Sequence, residues 1–160
     1  MLTVIELLVI FILPAGVLRL IRRFPALRSV GAVALCYACG FLLSLLALSA
    51  YIISADRIVM DSETEFVHDF LHEHFGEADE QEFYPLFKKM IFLFRKEQRQ
   101  ELKPKIQKCC TYIMNSLSTE DMPLVTLYLQ QLAASDNATS AEEKEAVAEL
   151  TEWLEKQQKS

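Results

Sequence analysis

Residues 29–55 read SVGAVALCYACGFLLSLLALSAYIISA, which is 27 consecutive positions without a charged side chain. At about 1.5 Å per residue, an α-helix of this length reaches roughly 40 Å, more than the ~30 Å hydrocarbon core of a bilayer. The stretch therefore predicts a transmembrane helix, and it divides the chain into an apolar N-terminal part and a polar remainder.

A second apolar run precedes this stretch. It reads LTVIELLVIFILPAGVLRLI over residues 2–21, in which Arg19 can direct its charge towards the membrane surface. Pro14 would kink such a helix without preventing it from spanning a bilayer. We expect a membrane hairpin over residues 1–55, with spans at about 2–21 and 29–55, in a multi-pass protein of the cell (inner) membrane.

The charges on the two sides of the second predicted span differ. Arg19 lies near the end of the first apolar run, and three further arginines and no acid lie between the two runs, whereas acids dominate from Asp56 onward. Because basic loops stay in the cytoplasm, we expect the C-terminal domain on the extracytoplasmic side. The residues that set this orientation are Arg19, Arg22, Arg23 and Arg28.

Small residues recur at every fourth position of the second apolar stretch. They are Ala32, Cys36, Gly40 and Ser44. Such a stripe allows another helix to approach closely in a membrane. We expect its partner to be the first span or a second copy of the chain.

The remainder, residues 56–160, carries 21 acidic and 12 basic side chains. Its apolar residues recur at helical spacing, and no window alternates with the period of a strand. We expect an all-α fold with two N-terminal transmembrane helices followed by an acidic α-helical soluble domain, a small bundle of about five helices. The excess of acids does not favour nucleic acid as a partner. One aromatic face is expected to form the core: Phe83, Phe87, Met90 and Phe94.

Charge is segregated along this domain. Nine acids and no base lie between Ile58 and Phe87, and eight bases and two acids lie between Lys88 and Lys108. The simplest interpretation is that one helix pairs against another through these charges. The alternative is that the basic block contacts anionic lipid headgroups, since the domain is expected beside a bilayer.

All three histidines lie in one short stretch. His68 and His72 are four residues apart, so both rings lie on one helical face, and Glu65 lies about one turn upstream. Two imidazoles and a carboxylate suit zinc or another divalent metal. A pH-sensitive patch and a solvated polar face are the other interpretations of these residues.

Sequence patterns of catalysis are absent. The chain contains no nucleophile elbow, P-loop, dinucleotide fingerprint or HExxH motif. Its four cysteines are too few and too poorly placed for a disulfide scaffold. We therefore do not expect an enzyme.

The last turn and helix resemble those of a known family. Residues 135–154 read SDNATSAEEKEAVAELTEWL, which resembles the end of TerB-like (tellurite-resistance) helical domains. Asp136 matches the family's Asp-Gly turn, Asn137 replaces the glycine, and Glu143 matches the glutamate at the next helix start. The resemblance implies an α-helical, stress-associated module whose acidic residues are proposed to bind metal. The family's paired upstream motif has at most a degenerate counterpart, Asp79 and Glu82.

These observations favour a membrane-anchored interaction or adaptor module without catalytic activity. The expected partners are membrane lipid and either another protein or a second copy of the chain, with no nucleic acid and no cofactor. The alternative is a metal- or stress-responsive sensor tethered to the membrane. Its divalent metal would be held by residues from His68, His72, Glu65, Asp136 and Glu143.

Overall fold

The computed structural model describes residues 32–118, 120–135 and 139–156, with side chains from residue 39 onward. All regular structure in these ranges is α-helical, which confirms the expected fold class. The five helices predicted after residue 56 are α2–α6. The helices are α1 (Ala32–Ile53), α2 (Asp61–Phe75), α3 (Glu77–Phe94), α4 (Arg99–Ser116), α5 (Met122–Ala133) and α6 (Ala141–Lys156).

The bundle is built around α1. This helix packs against α3, α4, α5 and α6. Successive residues of a helix point about 100° apart, so complete burial of near neighbours means that protein surrounds the helix on every side. The completely buried side chains of α1 are Leu46, Leu48, Ser49, Ala50, Ile52 and Ile53.

The second predicted span, residues 29–55, is not supported. Nearly all described side chains between Cys39 and Ile53 are buried within the bundle. No helix among the described residues is long and apolar enough to cross a membrane. A helix that is apolar on every face suits either a bilayer or the centre of a bundle, and its sequence does not distinguish the two. The first predicted span, residues 2–21, and the four arginines lie outside the described residues.

The predicted aromatic face of α3 forms part of the core. Phe83, Phe87, Met90 and Phe94 are all buried, and Phe87 is completely so. They belong to the same apolar cluster as the buried side chains of α1. Trp153, on α6, packs at the edge of this cluster and is only partly buried.

A sharp turn at Gly76 joins α2 and α3 into an antiparallel hairpin. Gly76 is the single residue between the two helices and has φ of 81°, a conformation that residues with a Cβ rarely adopt. Its backbone N–H donates to the carbonyl oxygen of His72 at 3.0 Å. The short turn keeps the exposed faces of α2 and α3 next to each other.

A hydrogen-bonded network ties α1 to α4 and α6. The Tyr51 hydroxyl donates to Glu149 Oε2 at 2.7 Å and accepts from Arg99 Nε at 3.1 Å. Burial raises the pKa of Tyr51 to about 12, so the hydroxyl stays protonated. Burial also opposes ionisation of Glu149, but hydrogen bonds from Lys103 and Tyr51 outweigh it and lower the pKa of this carboxyl.

The predicted pairing of the basic block has a different partner from the one expected. Arg99 and Lys103 form ion pairs with Glu149 on α6, and Lys105 pairs with Glu97 at 2.5 Å. The acids before residue 88 are not the partners in these pairs. The charge pattern of the sequence therefore predicted that α4 forms ion pairs, but it did not predict that α6 supplies the acid.

Candidate functional site

The turn before α6 contains the glutamate to which the family resemblance pointed. Glu143 is 2% exposed, and its Oε2 accepts the backbone N–H of Ser140 at 2.7 Å. In return, the Ser140 hydroxyl oxygen accepts the backbone N–H of Glu143 at 3.1 Å. This reciprocal arrangement is a capping box, which satisfies two donors at the start of a helix. Glu143 thus acts as a helix cap, and Asp136 lies outside the described residues.

The turn before α2 repeats this arrangement at the same spacing. Asp56 and Glu63 are seven residues apart, as are Asp136 and Glu143. Glu63 is 1% exposed, and its Oε2 accepts the backbone N–H of Met60 at 2.8 Å. Glu63 therefore makes for α2 the same contact that Glu143 makes for α6.

The backbone after Asp56 turns as an Asp-Gly sequence would, although it contains no glycine. The Asp56 Oδ1 atom accepts the backbone N–H of Ile58 at 2.8 Å, which forms an Asx turn. Arg57 has φ of 65°, in the left-handed region that favours glycine. Arg57 therefore occupies the position at which the resemblance implies glycine, as Asn137 does in the later turn.

Asp79 and Glu82, the degenerate counterpart of the upstream acidic motif, both lie in α3, which begins at Glu77. The pair Asp56 and Glu63, which sequence reasoning did not single out, has the spacing and the capping role instead. The equal separation of seven residues in the two turns was the signal in the sequence that could have revealed it.

A comparison with protein families identifies the family of this chain. The family described as Tellurite resistance protein TerB matches the chain over residues 42–159. The chain belongs to the TerB family. The match begins within α1 and includes both acidic turns, so the resemblance first seen at residues 135–154 extends over nearly all of the TerB bundle. Neither the curated proteins nor the solved structures that were compared contain a match to this chain.

The two histidines of the candidate metal site face α3 and not Glu65. His68 Nε2 lies 3.0 Å from Glu80 Oε1, and His72 Nδ1 lies 3.1 Å from Glu80 Oε2. The edge of the His68 ring also packs against Tyr84 at 5.0 Å between centroids. Glu65 is exposed on α2. Helical spacing correctly predicted that the two rings lie together, but their carboxylate comes from the next helix.

The described side chains of these sites were compared with what a metal ion requires. In the part of the chain that the structure describes, no group of three or more His, Cys, Asp or Glu side chains is arranged to hold a metal ion. Glu63 and Glu143 are instead buried and each accept a backbone N–H. The donor set of the TerB turns therefore fits helix capping.

The small-residue stripe of α1 is a helix contact inside the bundle. A Cβ added to Gly40 would overlap the side chain of Tyr112 on α4. Ser44 is buried and forms a hydrogen bond with the Cys109 thiol on α4. The close approach expected of these residues exists, and the helix that approaches is α4. The side chains of Ala32 and Cys36 lie outside the described residues.

Two adjacent thiols lie on α4. Burial raises the pKa of Cys109 to about 11 and that of Cys110 to about 12. Both thiols therefore stay protonated at neutral pH, and the thiolate is the nucleophilic form. These cysteines act as small buried apolar residues.

A groove of about 430 Å³ runs between α2 and α5, and we call it the α2–α5 groove. Its floor is aromatic, because the Tyr128 ring lies 4.7 Å from that of Phe70 and 5.6 Å from that of Phe66. Leu124 and Leu127 line it from α5 and remain 64% and 49% exposed. Large apolar side chains thus stand open beside a concave surface.

The α2–α5 groove is hydrogen-bonded to the central helix, and acidic side chains line it. Tyr128 shares a hydrogen bond of 3.1 Å with Ser49 of the central helix, and burial raises the pKa of Tyr128 to about 12. Asp69 and Glu73 line the groove from α2, together with His74. Sequence reasoning missed this site, because only the fold brings α2 and α5 together.

A second cavity of about 560 Å³ lies between α5 and α6. Its apolar lining consists mainly of small side chains, including Ala133, Ala134 and Ala148. Small side chains offer little surface to anchor a partner, since binding energy concentrates on large buried groups. The α2–α5 groove is therefore the stronger candidate for an interaction site.

Proposed function

We propose that this TerB-family chain is a membrane-held adaptor, which binds a protein partner through the α2–α5 groove and catalyses no reaction. The exposure of Leu124 and Leu127 beside an aromatic floor carries this proposal. Contiguous apolar surface beside a concave site is typical of interaction sites, whereas singly scattered apolar residues are not.

The charges of the α2–α5 groove indicate the chemistry of its partner. Asp69 and Glu73 stand beside the apolar floor. An amphipathic helix places apolar residues at helical spacing into such a groove, and Lys or Arg beside them can pair with acids at the rim. We therefore propose a basic amphipathic segment of another protein as the partner.

Site-specific photo-crosslinking in cells tests the adaptor proposal. A photoreactive residue at position 127 of the full chain should form a crosslinked adduct, since Leu127 lines the groove. The matched control is position 107, where Gln107 is exposed on α4. Leu124→Glu should abolish the adduct at position 127. Equal adducts at positions 127 and 107, or a single adduct of twice the chain's mass, would contradict a dedicated partner site.

The membrane attachment is proposed on residues 2–21. Because α1 lies inside the bundle, residues 2–21 are the part of the expected membrane hairpin that is left as a candidate span. Arg22, Arg23 and Arg28 then lie between the span and the bundle, which places these arginines and the bundle on the same side of the membrane. Because basic flanks stay in the cytoplasm, we propose that the bundle faces the cytoplasm, opposite to the side expected from two spans.

Reporter fusions after Ser160 test this orientation. A reporter that is active only in the cytoplasm should be active there, and one that is active only outside should be silent. Replacement of the four arginines by glutamine should weaken this bias, because the basic flank sets it. The reverse activity pattern would restore the two-span topology.

A metal- or stress-responsive sensor is the second candidate function. The repeated Asp and Glu pair, seven residues apart before α2 and again before α6, favours it. Calorimetric titration of the detergent-solubilised full chain with zinc or calcium should then show saturable binding that Asp56→Asn removes. Absence of saturable binding would leave the adaptor as the better explanation of the TerB bundle.

A further inference from the structure

The C-terminal end of α3 and the turn after it gather basic side chains around an exposed aromatic ring. Phe92 is 56% exposed, and Lys88 and Lys96 lie four positions to either side of it. Residues three or four positions apart are neighbours on a helix surface, which places Lys89 and Arg95 beside the ring as well. All four cations are exposed. We call these five residues the basic surface of α3.

The cations of the basic surface are not engaged with acids. The Lys96 Nζ atom lies 3.9 Å from the centre of the Phe92 ring, and the Lys88 Nζ atom lies 4.6 Å from that of Tyr84. Within the residues that the structure describes, none of the four cations of this surface forms an ion pair, whereas Arg99 pairs with α6. In a chain of net charge −6, such a group is a local exception.

We propose that the basic surface of α3 binds the anionic headgroups of a lipid bilayer, with Phe92 in the interfacial layer. The inference rests on the membrane attachment proposed above, which keeps the bundle beside a bilayer. Each Lys or Arg near an anionic membrane surface strengthens binding by about fivefold. Helices that lie at a membrane surface bury Trp, Phe and Leu at the boundary between headgroups and acyl chains, so Phe92 would exchange water for an apolar medium there.

The shape of the basic surface suits a bilayer. Lys88 lies on α3, and Lys96 lies in the turn directly after Phe94, the last residue of this helix, so the two cations flank Phe92. An exposed surface with four cations around one ring can contact several headgroups at once. The α2–α5 groove is lined by acids, whereas the basic surface of α3 is positive. The groove can therefore bind a basic partner while the basic surface faces the lipid.

Tryptophan quenching in nanodiscs tests the proposal on the full chain. Trp153 is the only tryptophan, so Phe92→Trp in a Trp153→Phe background places one reporter on the basic surface. Brominated acyl chains quench a tryptophan that lies within the bilayer interface. We expect quenching in discs that contain anionic lipid, little in zwitterionic discs, and a decrease as salt screens the charges.

A pair of charge reversals on the same reporter chain separates specific contact from net charge. Lys88→Glu with Lys96→Glu should lower the quenched population about 25-fold or more, from about fivefold for each cation removed. The control is Lys108→Glu with Lys144→Glu, which changes the net charge equally at exposed positions on α4 and α6. This control should quench as the parent does.

The remaining outcomes assign failure to one proposal or the other. If the chain co-purifies with the discs but position 92 is not quenched, the basic surface does not bind lipid and the attachment stands. Equal loss in both charge-reversal pairs would overturn the surface as the site. Binding of polyglutamate without quenching in anionic discs would assign the surface to an acidic protein. A chain that does not co-purify with discs overturns the attachment and this inference with it.

Discussion

The turns before α2 and α6 place a buried glutamate at the same point of a helix, but they use different neighbours. Glu143 shares reciprocal hydrogen bonds with Ser140, whereas Glu63 accepts the backbone N–H of Met60, which has no hydroxyl to return a bond. The bond from backbone to carboxylate is therefore the common element. The comparison teaches that the buried glutamate, rather than a capping hydroxyl, defines the repeated turn of this TerB bundle.

Removal of either buried glutamate should have the largest effect. Glu63→Ala and Glu143→Ala should each lower the free energy of unfolding by about 2–3 kcal/mol, because a backbone N–H loses a charged acceptor. Chemical unfolding of the detergent-solubilised full chain measures this. The exposed neighbours Glu65 and Glu142 provide matched alanine controls, expected within about 0.5 kcal/mol of the parent. A large loss at only one turn would show that the turns are not equivalent.

Alanine at the first residue of each cap should separate the two turns. Ser140→Ala should cost about 1 kcal/mol of unfolding free energy, because the hydroxyl accepts the N–H of Glu143. Met60→Ala should cost less than half of that, since Met60 is exposed and its thioether is a weaker acceptor than a hydroxyl. Chemical unfolding of the two variants measures and compares these losses. Equal losses would mean that the hydroxyl adds nothing to the turn before α6.

A hydroxyl introduced at Met60 should make the earlier turn resemble the later one. The Met60 backbone has φ of −89° and ψ of 145°, the extended conformation that a capping serine adopts. Met60→Ser should therefore raise the free energy of unfolding by about 0.5–1 kcal/mol. Ile58→Ser, at an exposed position outside the helix, is the control and should give no gain. No difference between the two variants would contradict the capping geometry.

The smallest effect is expected at the tight turn itself. Arg57 has φ of 65°, so Arg57→Gly should relieve strain and raise stability by about 0.5 kcal/mol after the entropy of glycine is subtracted. Arg57→Val should lower stability, because a β-branched residue resists positive φ. The denaturant midpoints of the parent and the two variants check this conformation. Arg57→Gly should have the highest midpoint and Arg57→Val the lowest. The reverse order would show that the turn does not hold this backbone.

Helix number and the core face of α3 could be predicted because local spacing encodes them. Phe83, Phe87 and Met90 recur at helical intervals, and that pattern needs no knowledge of the neighbouring helices. The place of α1 could not be predicted, since a helix that is apolar on every face looks alike in lipid and in a core. Only its contacts with α3 to α6 distinguish the two.

The candidate sites were predicted only where one helix contains them. His68 and His72 share a face by spacing alone, but Glu80 reaches them across the Gly76 turn. The α2–α5 groove depends on two helices that are distant in sequence. The turn at Asp56 was hidden for another reason: arginine and methionine replace the glycine and serine that would have marked it.

The burial of α1 on every side has a consequence for how the chain is made. Its contacts include α6, where Glu149 meets Tyr51, and ribosomes must add α2–α6 before that cover exists. At about 5–20 residues per second, α1 stays uncovered for roughly 5–20 s during synthesis. Throughout that time the nascent chain displays a segment as apolar as a membrane anchor, which exposes it to insertion machinery and to aggregation. The packing of α3 and α4 against α1 can begin to shorten this exposure before α6 is complete.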